Sequence, residues 1–140
     1  MTSSKEDEPL VHIGEVVERT GLSHRTVRYY EEMGLVSPAG RTEGGFRLYD
    51  EAGIDRLLLV MPMKPLGFTI EEIRLLLGAL DTLADAGAGP EQRAGARAVL
   101  DGTHTSAQER VAELKAATAR AEAFTRRLGR QIRQSGRPPA

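Results

Sequence analysis

The chain has 140 residues with 19 Lys and Arg against 20 Asp and Glu, a net charge of −1, and it is 40% hydrophobic and 28% charged, the make-up of an ordinary folded protein. It contains no Cys, which excludes disulfides, thiolate metal sites, iron–sulfur clusters and Cys nucleophiles. No apolar run nears the roughly 18–20 residues that span a bilayer, the acidic start is unlike a signal peptide, and a cytoplasmic protein is expected. The near-neutral total also speaks against a basic nucleic-acid binder, although a whole-chain sum hides where the charges sit. Residues 1–80 carry a net of −4 and residues 81–140 a net of +3. Five of the six aromatics (Tyr29, Tyr30, Phe46, Tyr49, Phe68) lie in the first part, so that part reads as the compact module.

In chain order, residues 1–9 are polar and expected to be disordered. Ile13, Val16 and Val17 stand at i, i+3, i+4 and predict a short amphipathic helix that His12 begins and Gly21 ends. Ser23 is a good N-cap for a second helix through about Met33, closed by Gly34. The short turn around Gly21 gives the pair helix-turn-helix spacing. On the second helix Val27 and Tyr30 share a core face, while His24, Arg25, Arg28 and Tyr29 point the other way. Next, RTEGGFRLY reads as two short strands around Gly44-Gly45, a wing-like hairpin. Asp50 caps a third helix with an apolar face of Ile54, Leu57, Leu58 and Met61. Thr69 with Glu72 forms a capping box for a fourth, bearing Ile73, Leu76, Leu77 and Leu80.

From Pro90, a residue suited to a first helical turn, to Arg133 the composition favours one long helix. Ala107, Val111, Leu114, Thr118, Ala121, Phe124, Leu128 and Ile132 recur along it at spacings of three and four, which run back through His104 to Leu100, a coiled-coil-like seam. The stretch DGTHTS allows either a kink near Gly102 or continuity. A helix of about 44 residues is about 65 Å long, too long for an 80-residue module to cover its stripe. A second copy is the natural partner, and a homodimer is expected. The final residues 134–140 are expected to be a disordered tail.

Three segments, IGEVVERTGLSHRTVRYYEEMGLV, RTEGGFRLYD and LGFTIEEIRLLL, stand in this order and spacing. Together they resemble the MerR family of transcription regulators over about residues 11–80, with the tail similar in architecture only. The resemblance implies a mainly α fold, a winged helix-turn-helix domain (residues 10–83) followed by a linker and a long antiparallel coiled-coil dimerisation helix (residues 84–133). With no nucleotide-binding Gly loop, no Cys, and a single His-x-x-Glu pair (His12, Glu15) that lacks further metal ligands, no enzyme and no cofactor are expected. The expected partners are double-stranded promoter DNA, a second copy, and RNA polymerase at the promoter, with no membrane. On the matching positions, Ser23, His24, Arg25, Thr26, Arg28 and Tyr29 would contact DNA from the recognition helix, Arg being suited to bidentate guanine or phosphate binding. Arg41, Gly44, Gly45, Arg47 and Lys64 would hold the phosphate backbone. A homodimer on a palindromic promoter that distorts the DNA to activate or repress is the implied function. The alternatives are a constitutive repressor without effector and a coiled-coil adaptor that binds no DNA.

Each of these residues also has a plainer reading. An exposed Arg is often only solvated, or paired at i+4 as Arg28 could be with Glu32. Gly44-Gly45 could be nothing beyond a turn. Two departures from the family pattern stand out. Phe46 replaces a Tyr in the wing, and Pro62 and Pro65 interrupt a stretch otherwise expected to be helical, with Pro65 ending it. Without Cys, soft-metal sensing is excluded. His104, three residues after Asp101, offers either a His/carboxylate site or, the preferred reading, a polar position that sets the dimer register. No metal site is expected.

Overall fold

The computed structural model describes residues 9–136. The expectation for residues 1–8, and that for residues 137–140, lie outside the described residues. The elements are β1 (Val11–His12), α1 (Ile13–Thr20), α2 (His24–Glu32), β2 (Gly40–Arg41), β3 (Arg47–Tyr49), α3 (Glu51–Val60), α4 (Ile70–Ala84) and α5 (Pro90–Ser135). Two compact units result, Met1–Leu100 and Asp101–Ala140. The mainly α winged helix-turn-helix and the long helix are both present. Among the described residues no helix is long and apolar enough to cross a membrane.

Local chemistry explains the helix starts. Ser23 accepts the Thr26 N–H at 3.1 Å, Asp50 accepts that of Gly53 at 2.8 Å, and Thr69 with Glu72 makes a complete capping box. Each satisfies a backbone donor that the first helical turn leaves over, contributing about 1 kcal/mol. α1 closes where the Gly21 N–H donates to the Val17 carbonyl at 2.8 Å. Val16, Val27, Tyr30, Tyr49, Ile54, Leu57 and Ile73 are buried, and the apolar stripes of α1 to α4 meet in one core. The buried Thr20 hydroxyl donates to Val16 O at 2.8 Å, so it adds no unpaired polar group.

Four features differ from the sequence reading, and the choice left open at Gly102 is decided. Val11 and His12 are not the opening of α1 but an outer strand, paired antiparallel to β3 with Val11 opposite Tyr49. The sheet is thus three-stranded in the order β1-β3-β2, and His12 gives α1 no side-chain cap. On α3 the buried set is Gly53, Ile54, Leu57 and Val60, while Leu58 is exposed, because the core lies to one side of the Ile54–Leu57–Val60 line. α3 ends at Val60, before Pro65. Pro62 has no N–H to give to Leu58, and residues 61–67 turn instead through bonds such as Met63 N–H to Val60 O at 2.9 Å. α5 stays helical through residues 101–106, so Gly102 makes no break. The helix also runs to Ser135, two residues into the segment expected to be disordered.

Tyr49, fully buried, donates its hydroxyl to Glu31 Oε2 at 2.9 Å. Burial and then this bond push its pKa up to about 12, against the fields of Arg47 and Arg28. A folded-state value above the ordinary value of about 10 stabilises the fold fully below pH ~10 and loses that contribution as pH rises to ~12. The urea midpoint is therefore expected to fall over this window more steeply in the wild type than in Tyr49→Phe; equal slopes would remove the assignment.

Candidate nucleic-acid interface

The recognition helix α2 presents its sides as its sequence requires. Val27 and Tyr30 are buried, and His24, Arg25 and Arg28 are exposed. Ser23 and Thr26 are committed first to the helix start, their hydroxyls lying 2.9 Å apart. Lys64, from the turn before α4, brings its Nζ to 4.9 Å from the centre of the Tyr29 ring. A residue 35 positions away in sequence thus lies against the recognition helix, in cation–π geometry.

The wing is built from β2, residues 42–46 and β3. Arg41 is opposite Arg47 across the pair, and the Thr42 N–H donates to Phe46 O at 2.9 Å. Gly45 has φ +83°, a left-handed conformation that side chains other than Gly rarely adopt. At Gly44 a Cβ would stand 3.3 Å from the Phe46 ring. Gly45 therefore has a hairpin reason to be present, whereas the contact at Gly44 is with an exposed ring that can shift. Arg41 Nη1 reaches back to Gly45 O at 3.4 Å, and Phe46 is 70% exposed at the wing.

The charges resolve the paradox of the near-zero total. Residues 9–80 hold eight cations. Four are paired with carboxylates: Arg19 with Glu51 at 2.6 Å, Arg47 with Glu31 at 2.7 Å, Arg56 with Asp81 at 2.5 Å, and Arg74 with Glu71. The Arg19 guanidinium also holds the Glu51 carboxyl below its usual range. The four with no carboxylate partner among the described residues are Arg25, Arg28, Arg41 and Lys64. They sit on the recognition helix, on the wing and in the turn that touches the recognition helix. Arg28 does not pair with Glu32. Positive charge left unneutralised at these elements suits a polyanion.

Two residues important to this surface were not legible in the sequence. Arg74 on α4 donates from Nε and Nη2 to the Met33 carbonyl at 3.0 and 2.6 Å, capping the C-terminus of α2 from 41 residues away. Its charge also complements the negative end of the α2 dipole. Glu31 joins α2 to the wing through Tyr49 and Arg47. Both lie inside the family segments, but what each touches depends on residues distant in the chain, which no local pattern gives. His104 is exposed, and among the described residues no group of three His, Cys, Asp or Glu could hold a metal ion.

On α5, Val111, Leu114, Phe124, Leu128 and Ile132 are 40–65% exposed, large apolar groups uncovered along one helix. Thr118 and Ala121 are exposed with them, whereas Leu100 and Ala107 are half-buried.

The sequence profile of the MerR HTH family regulatory proteins matches residues 11–80. The mercuric resistance operon regulatory protein of Bacillus cereus is 45% identical over 69 residues, 49% of this chain and 52% of that protein. The HTH-type transcriptional regulator ZntR of Escherichia coli (strain K12) is 41% identical over 68 residues, 49% of this chain and 48% of ZntR. The chain spans about half the length of these curated relatives. Among solved structures, HiNmlR, a MerR family regulator lacking the sensor domain and bound to promoter DNA, aligns with a TM-score of 0.69. It does so at 20% identity over 91% of this chain and 96% of that one, a likeness of fold. A MerR family transcriptional regulator from Listeria monocytogenes aligns with a TM-score of 0.66 at 22% identity, over 89% of this chain and 90% of that one. With the profile matching half of its 140 residues, all three motif segments included, the chain belongs to the MerR HTH family.

Proposed function

We propose that the protein is a sequence-specific DNA-binding transcriptional regulator acting as a homodimer on a palindromic promoter. α2 enters the major groove. Arg25 and Arg28 read base edges or clamp phosphate there, with His24, Thr26 and Tyr29 beside them and Ser23 at the helix start. Arg41, Arg47, Lys64 and the Gly44-Gly45 turn hold the flanking backbone. The observation that carries this reading is the placement of the four unneutralised cations, all on the recognition helix, the wing or the turn packed against α2.

The second copy pairs along the exposed apolar line of α5 from Val111 to Ile132, with Leu100 and Ala107 at its start. Two recognition helices held by one pairing element would bind two half-sites, and distortion of the DNA between them would change the spacing that RNA polymerase meets. The total charge of −1 implies modest non-specific affinity, with binding resting on a few placed contacts and shape. Genomic footprinting with the full-length protein tests the reading. A protected palindrome with steeply salt-dependent retention is expected, and no salt-dependent binding to any DNA would leave a coiled-coil adaptor instead.

A further inference from the structure

We propose that Glu31 is a positioning residue that aims the wing arginine Arg47 at the DNA backbone from the recognition helix. The inference rests on the DNA-binding reading above and adds to it how two separate contact elements keep one spacing.

The carboxylate of Glu31 is 14% exposed and is used on both sides. Oε1 holds Arg47 Nε at 2.7 Å, and Oε2 accepts the hydroxyl of the buried Tyr49 at 2.9 Å. Arg47 and Tyr49 are alternate residues of β3, and Glu31 lies on α2 just beyond Arg28. One side chain thus ties the wing to the helix that reads the groove, at two points of the same strand. The tie matters because the wing is slight: β2 has two residues, β3 three, and Phe46 beside Arg47 is exposed. A hairpin this short does not hold a long side chain in one direction by itself. Arg47 pairs with Glu31 through Nε at 2.7 Å, and its side chain stays 43% exposed. The planar guanidinium can therefore rest on the carboxylate by one edge and offer the other to a phosphate, which a lysine could not do. The Tyr49 bond fixes the carboxylate in turn, so the anchor is referred to the core.

The test uses full-length protein on a footprinted promoter fragment over a salt series. Glu31→Gln keeps an acceptor for the Tyr49 hydroxyl but withdraws the charge that holds Arg47. Specific affinity is expected to fall about tenfold, and the slope of log affinity against log salt to shrink by about one per half-site. Arg47→Ala is expected to do the same, and Glu31→Gln combined with Arg47→Ala to lose no more than Arg47→Ala alone. Additive losses would overturn the proposal, because Glu31 would then act without Arg47. Tighter binding by Glu31→Gln would overturn it too, since the carboxylate would be restraining Arg47 and repelling phosphate. Arg47→Lys leaves Glu31 untouched and serves if Glu31→Gln does not fold. It keeps the charge without the fork and is expected to lose specific affinity about as Arg47→Ala does; wild-type affinity would overturn the aiming role. If the wild type protects no DNA, the functional reading itself fails. If it protects a promoter that Glu31→Gln binds equally well, only the role of Glu31 fails.

Discussion

Arg28→Ala is expected to abolish specific retention of promoter DNA while the fold and the oligomeric state remain unchanged. Arg28 is exposed in the middle of α2, a helix whose opposite side, Val27 and Tyr30, is locked into the core. It has no carboxylate partner among the described residues, although Glu32 stands at i+4 on the same helix, so its guanidinium is already free for a ligand. A bidentate arginine contact is worth about 1–3 kcal/mol of discrimination, and a dimer makes it twice. The loss is thus about 2–6 kcal/mol, or roughly 30-fold to 10⁴-fold in affinity. Removing an exposed, unpaired side chain should leave thermal stability within about 0.5 kcal/mol. Gel retention beside light scattering and a melting curve checks all three. A footprint indistinguishable from wild type would remove Arg28 from the interface and, with it, the placement of α2 in the groove.

The second large effect concerns α5 and the pairing proposed for it. Leu114→Glu combined with Leu128→Glu in the full-length chain is expected to yield a monomer at micromolar concentration. Leu114 is 53% and Leu128 45% exposed, on a helix where Val111, Phe124 and Ile132 are uncovered as well. Burying a Leu gains about 1.5–3 kcal/mol, and a symmetric interface loses four such groups in the double variant. That is about 6 kcal/mol at least, before any cost of burying four carboxylates, so a dimer dissociation constant should rise by roughly four decades or more. Both positions are solvent-facing within one chain, so the helix itself should persist by circular dichroism. Light scattering that still gives two chains per particle would place the interface elsewhere. A monomer should also lose specific retention, since one recognition helix then reads one half-site.

Much of the fold was legible because its punctuation is local. Ser23, Asp50, Thr69 with Glu72, and Pro90 act on backbone groups within about one turn, so four helix starts follow from nearest neighbours in the chain. The core faces of α2 and α4 follow from apolar spacing for the same reason. The helix-turn-helix and the wing hairpin were legible through the three family segments, and the exposed apolar line of α5 through its own spacing. What failed needed knowledge of a neighbour. Leu58 fits an apolar stripe by spacing, yet the core does not extend to its side of α3. Residues 101–106, where the sequence left a kink and continuity open, are poor helix formers one by one, and they remain helical inside a 46-residue helix that only has to propagate through them.

The charge of −1 is the clearest case of that division. The sequence by itself determined how many charges there are, where α2 to α5 begin and which residues could read DNA. The tertiary structure decided most of which charges are spent. Arg19 and Arg56 are neutralised by Glu51 and Asp81, far along the chain, and only Arg74 by a local acid, Glu71 one helical turn away; Arg25, Arg28, Arg41 and Lys64 have no acid partner among the described residues, while Arg47 is held by Glu31. The same is true of β1, whose partner lies 38 residues downstream, and of the cap that Arg74 places on α2. The physical reason is range. A cap or a helical stripe is set within about four residues along the chain, whereas an ion pair or a strand ladder is set by whichever groups the folded core brings within about 3 Å.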